Sequence, residues 1–191
     1  MGTNRLEAFS DGVIAIIITI MVLELKLPPD ASARGLIRLA PLFSSYVLSF
    51  IVVAIMWVNH HHMMHAVKRV DATVLWANNL LLFWMSLIPF GTAYMGQNHM
   101  APLPVALYGT VLTLAAASFS LLRYVFIQQH RDDAKWCIYH GRILRKNLIS
   151  MAFYAASVPL AFISGYLSFV IFVLIALAYF LPEPKLTGRP E

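Results

Sequence analysis

The chain contains one cysteine, Cys137, among 191 residues, and only nine acidic residues. A single thiol excludes an intramolecular disulfide and any paired-cysteine redox or zinc motif. Standing alone, Cys137 reads as a structural thiol, because reactivity requires a special microenvironment. Charge of either sign is scarce: Asp, Glu, Lys and Arg make up 12% of the chain against 60% hydrophobic residues, and the mean hydropathy is +0.72. That balance excludes a soluble globular domain and marks an integral membrane protein embedded in a lipid bilayer. No nucleophile-and-base arrangement, phosphate loop or carboxylate pair is present, so the sequence offers no enzymatic reading, no catalytic residue and no cofactor. A pI near 9.5 would suit nucleic acid, yet the basic residues lie mainly in loops between apolar segments. Membrane topology accounts for them, and no nucleic-acid partner is expected. A cleaved signal peptide is also excluded, since Glu7 and Asp11 stand where positive charge is required and no small-residue cleavage site precedes Pro28 and Pro29.

What is present is a succession of apolar runs separated by turn and charge signals, which predicts an all-α protein with six transmembrane helices. The spans are expected at about 6–25, 37–60, 71–95, 103–127, 148–163 and 166–181, forming a single membrane domain over residues 1–191. Pro28, Pro29 and Asp30 stop the first. Pro41 falls in the first turn of the second, where a missing N–H costs little, and Pro89 predicts a kink in the third. Ser164 and Gly165 alone separate the last two. The long connector 130–146 reads as interfacial because Trp136 and Tyr139 are headgroup-level residues. With six spans, Arg5, Lys68, Arg69, Arg131, Lys135, Arg142, Arg145, Lys146, Lys185 and Arg189 share the side of the N-terminus, whereas the other side has Lys26, Arg34 and Arg38. Lys and Arg are retained inside, so both termini are expected in the cytoplasm.

The first span carries an anomaly. Its apolar stretch from Gly12 to Leu23 is fenced by Asp11 and Glu24 and reaches about 18 Å as a helix, against about 30 Å of hydrocarbon. Ionisable groups at membrane depth are rare and normally face a bundle interior or a water-filled path. Gly12, Ile16, Thr19, Ile20 and Leu23 share one face at spacings of three and four, although the rest of the helix is equally apolar. Self-association around an axis would open both ends into watery vestibules and leave an aliphatic ring between them, which can gate by dewetting and sieve partly dehydrated ions.

Ahead of this stretch stands Arg5-Leu6-Glu7-Ala8-Phe9-Ser10-Asp11. Arg5 and Asp11 are six residues apart, so on a helix each needs another partner. Donors are available at the ends of spans two and three, where Asn59, His60, His61, Trp76, Asn78 and Asn79 cluster; Trp76 and Asn79 share a helix face. Polar glue between helices and a role in gating are both compatible with such a cluster. His61 and His65 stand one helical turn apart and invite a metal, but no carboxylate or cysteine accompanies them, so no metal site is expected. A histidine protonated near Asp11 would make opening pH-dependent.

The stretch Arg5, Phe9-Ser10-Asp11, then Gly12-Val-Ile-Ala-Ile, ending in Leu-Glu-Leu-Lys-Leu-Pro, resembles the signature of the prokaryotic potassium channels related to lysosomal transmembrane protein 175. The six-span layout, the Trp-Asn pattern of span three and the Pro89-Phe90 pair agree with it. The resemblance implies a homotetramer in the prokaryotic plasma membrane with potassium as the permeant ion. It also implies a pore lined by the first helix and no re-entrant Thr-Val-Gly-Tyr-Gly filter loop, a segment this sequence lacks. It further implies bulky layers five, eight or nine, and twelve residues after the motif aspartate: Ile16, Thr19 or Ile20, and Leu23. These coincide with the stripe read from helical spacing. Arg5, Phe9, Ser10 and Asp11 would brace the pore helix against spans two and three, with His60, His61, Trp76 and Asn79 as the supporting polar network. The competing reading is a secondary or proton-coupled transporter that uses Asp11 and the histidines as a relay. It is disfavoured by an aliphatic midplane where transporters place a polar site.

Overall fold

A computed structural model describes residues 2–28, 31–64, 67 and 69–180. Pro29, Asp30, His65, Lys68, Lys185, Arg189 and the expected end of span six at residue 181 lie outside the described residues. Within them the chain forms eight helical segments: α1 Thr3–Leu23, α2 Ala33–Arg38, α3 Ala40–Met64, α4 Ala72–Ser86, α5 Ile88–Gln97, α6 Pro102–Gln129, α7 Ala134–Leu160 and α8 Gly165–Ala178.

Local chemistry sets several boundaries. Ser32, Asp71, Asp133 and Ser164 each cap a helix start by accepting a hydrogen bond from a backbone N–H three residues on, which satisfies a donor the helix cannot. Span three is broken where a kink is predicted, but only at one residue: Leu87 keeps right-handed helical angles between α4 and α5, its N–H reaching back only as far as the Trp84 carbonyl, and Pro89 falls in the first turn of α5, where its ring and missing N–H cost least. Among the described residues four stretches are long and apolar enough to cross a membrane, namely Thr3–Leu23, Ala40–Met64, Ala72–Gln97 across that break, and Pro102–Gln129. The connector 130–146 is corrected by the structure. Asp133 caps α7 through Trp136 N at 3.0 Å, so helix begins at Ala134 and the interfacial residues Trp136 and Tyr139 belong to its first turns. The basic stretch before Leu148 conceals this helix from a reading based on apolar runs.

α6 forms the spine of the bundle, packing on α4, α5, α7 and α8 and burying Tyr108, Leu112, Leu122 and Phe126. Tyr108 Oη lies 2.8 Å from Ser49 Oγ, which lies 2.7 Å from Thr92 Oγ1. This three-hydroxyl chain ties α6 to α3 and α5, the interhelical glue expected where neither side offers water. Gly96 lets α5 approach α3 closely; a Cβ there would stand 2.7 Å from the Leu42 Cα. At one end of the bundle Gln129 Nε2 donates to Asp71 Oδ2 and Tyr179 Oη to Asn147. The ends of α6 and α8 thus meet the start of α4 and the basic half of α7.

Candidate functional site

α1 is two-sided in a way its composition hides. Leu6, Ser10, Ile14, Ile17 and Met21 are buried, recurring every three or four residues against α3, α4 and α5. Gly12, Ile16, Thr19, Ile20 and Leu23 lie on the exposed side of the subunit, Ile16 at 58% and Leu23 at 79% exposure. Ile16 and Ile20 line an open groove of about 380 Å³ together with Glu24, Ser86, Pro89 and Phe90. Thr19 Oγ1 donates to the Ile16 carbonyl at 2.9 Å, three residues back. The hydroxyl proton is therefore committed to the backbone, and only the oxygen lone pairs are left to face outward.

The polar end of α1 is bonded in one direction. Ser10 Oγ donates to the Leu6 carbonyl at 2.9 Å and accepts from Asn78 Nδ2 at 3.0 Å. Asn78 Oδ1 lies 2.8 Å from His60 Nε2. Because Asn78 Oδ1 can only accept, His60 carries its proton on Nε2. All three side chains are buried, so α1, α4 and α3 are joined through a dry hydrogen-bonded chain. Alongside it, Trp57 Nε1 donates to Asp11 Oδ1 at 2.9 Å, and His61 Nδ1 stands 2.9 Å from Glu7 Oε1. Trp57 also stacks on His61, ring centroids 6.0 Å apart.

The structure thus brings Ser10, Asp11, His60 and His61 together. Trp76 is 74% exposed, Asn79 is exposed on the same side of α4, and Arg5 and Phe9 are exposed, so this subunit does not draw them into the network. Asn78 takes the inward position instead, since successive helix residues point about 100° apart. Trp57 is the partner of Asp11 that the sequence reading missed. Its signal was available: an indole one turn before His61, whose N–H needs an acceptor inside a bundle. Among the described residues no group of three or more His, Cys, Asp or Glu could hold a metal ion.

An all-helical multi-pass membrane bundle, with an aliphatic helix side left outside its own subunit and a braced polar end, defines the class. Comparison with known proteins narrows it. Residues 5–89 match the family described as endosomal/lysosomal potassium channel TMEM175. Over 187 residues the chain is 42% identical to a potassium channel of Chryseobacterium sp. (strain P1-3), covering 97% of this chain and 96% of that one. It is 33% identical to a potassium channel of Streptomyces collinus, covering 93% and 91%. Among solved structures, the lysosomal potassium-selective channel TMEM175 homolog from Chamaesiphon minutus superposes with a TM-score of 0.84 at 29% identity, over 94% of this chain and 96% of that one. The chain belongs to the TMEM175 family. That family consists of ion channels, not enzymes.

Proposed function

We propose that the protein is a potassium channel conducting along the axis of a homotetramer, with α1 of each copy lining the pore. One observation carries this reading: the stripe of Ile16, Thr19, Ile20 and Leu23 is turned away from its own subunit, while Asp11 and Glu24 at its ends need water that lipid cannot give. Four such stripes meeting on an axis give each carboxylate an aqueous vestibule and leave rings of Ile16 and Leu23 between them. Potassium sheds its water more readily than sodium, so hydrophobic rings with a Thr19 oxygen as transient ligand favour potassium by dehydration. The bacterial relatives named potassium channels support that ion.

The subunit in this reading has six membrane crossings in one domain over 1–191, α4 and α5 counting as one and the membrane part of α7 beginning near Leu148. It has no re-entrant filter loop. Both termini face the cytoplasm of a prokaryotic cell, placing Arg131, Lys135, Arg142, Arg145 and Lys146 inside. Ser10, Asp11, His60 and His61, with Trp57 and Asn78, hold the cytoplasmic end of α1 at a fixed angle. Trp76, Asn79, Arg5 and Phe9 are left to meet a neighbouring copy.

Purified protein in liposomes with a potassium gradient tests this. Passive, electrogenic potassium flux exceeding sodium flux is expected, and Ile16→Asn should raise flux or reduce selectivity by hydrating the ring. Saturable electroneutral exchange would establish the transporter reading instead, and unchanged flux in both Ile16 and Leu23 variants would remove the pore assignment.

A further inference from the structure

Away from α1, the end of α6 and the start of α7 are joined around one buried imidazole. His140 is only 5% exposed, and Arg123, which meets it from α6, only 2%. Arg123 Nη1 lies 2.9 Å from His140 Nδ1, and a guanidinium can only donate. The bond therefore requires a neutral His140, with Nδ1 bare and the ring proton on Nε2. Trp136 stacks on this imidazole with centroids 3.8 Å apart and on the His130 ring at 4.5 Å. His130 is the cap residue that closes α6, and Cys137 Sγ donates to its carbonyl at 3.2 Å. The contact thus fastens the first turns of α7 to the last turn of α6.

Nothing packed around His140 offsets a second ring proton. α6 presents Arg123 and His130, which add only positive charge, and α7 itself adds Lys135 and Arg142. No acidic residue occurs in Pro102–Gln129, Ala134–Leu160 or Gly165–Ala178, the helices that pack together here. At this end of the bundle Asp133 is committed to Trp136 N, and Asp71 to Val74 N and Gln129 Nε2. Protonated Nδ1 would set donor against donor and cation against cation in a site closed to water, an arrangement that is costly without a counter-charge.

We propose that the His140–Arg123 contact is an acid-released latch: a proton on His140 breaks it and frees the first turns of α7 from α6, while the membrane helices stay packed. The same end of α6 holds the start of α4 through Gln129 and Asp71, and α4 carries Asn78, which bonds Ser10 of α1. That the acid reaches it from the cytoplasm rests on the topology proposed above; the latch itself does not.

Hydrogen–deuterium exchange of the full chain in lipid nanodiscs at pH 7.5 and pH 5, corrected for intrinsic exchange rates, tests this without any flux measurement. An imidazole held at about 4 in place and returning to 6.5 on release raises the opening constant about 30-fold between those conditions. Protection over residues 130–146 should fall accordingly, while residues 40–64 stay unchanged. His140→Gln, which accepts from Arg123 and cannot charge, should keep its protection at pH 5. Should that variant not fold, nitrogen NMR of labelled histidine in the native chain decides: His140 Nδ1 should be unprotonated at pH 7.5 and titrate below 6.5. Equal protection of 130–146 at both pH values, loss spread evenly over the membrane helices, the same loss in folded His140→Gln, or a His140 that titrates at or above 6.5 would each overturn the proposal.

Discussion

At the residue scale, Asn78 matters more than its exposed neighbour Asn79. It donates to Ser10 and accepts from His60, so replacing it with Ala orphans two buried groups. Leaving a buried partner unsatisfied costs about 1–3 kcal/mol, while hydrogen bonds between membrane helices average about 0.6 kcal/mol. Asn78→Ala should therefore destabilise the protein by about 1 kcal/mol and lower its thermal midpoint in detergent, whereas Asn79→Ala should leave it nearly unchanged in the isolated subunit. A midpoint unaffected by Asn78→Ala would mean that the buried chain does not hold α1. This choice between adjacent asparagines could not be made from sequence. Both are amides of one helix turn, and only the packing direction of α4 distinguishes them.

At the scale of elements, two junctions govern how the helices sit. α5 crosses α3 at Gly96, where a new Cβ would meet the Leu42 backbone at 2.7 Å. Backbone cannot step aside as a flexible side chain can, so Gly96→Val should force the helices apart and cost about 1–3 kcal/mol, read as a lower midpoint for loss of α-helical circular dichroism. The second junction joins the end of α6 to the start of α7. There Arg123 Nη1 donates to His140 Nδ1 at 2.9 Å, and Trp136 stacks on His140 with ring centroids 3.8 Å apart. His140 precedes the membrane part of α7. Burial, then the Arg123 and His130 charges, hold its imidazolium pKa down at about 4 against an ordinary 6.5. The folded protein thus resists a proton that the unfolded chain accepts, and its stability falls as pH drops from about 6.5 towards about 4. A series of thermal midpoints across that window should slope downward in the native protein and less steeply in His140→Gln. Equal slopes would show that this imidazole titrates alike in both states.

At the scale of the whole molecule, the exposed stripe of α1 predicts contact between copies. With Cys137 replaced by Ser, a cysteine introduced by Leu23→Cys is exposed on each subunit and should be joined to its neighbours by a short bifunctional thiol reagent, giving cross-linked species up to four subunits on a denaturing gel. Met21→Cys, placed on the side buried within the subunit, should remain monomeric under the same treatment. Cross-linking at Met21 and none at Leu23 would turn α1 around and remove it from a common axis. Such assembly also gives a use to the exposed Trp76 and Phe90, which lie on α4 and α5 outside the subunit core.

The membrane class, the fenced first helix and its stripe at Ile16, Thr19, Ile20 and Leu23 were all legible in the sequence. Hydropathy measures transfer into lipid residue by residue, and helical spacing fixes which side chains share a face. The family followed from the local motif beginning at Arg5. Which face of α1 turns inward was not legible, because both are aliphatic and the hydrophobic effect has no direction of its own. Tertiary structure decided it through groups that do have direction: Ser10 on Asn78, Asp11 on Trp57 and Glu7 on His61. Hydrogen bonds turn the helix so that Ile14 and Ile17 pack inside the subunit and Ile16 and Leu23 are left outside it.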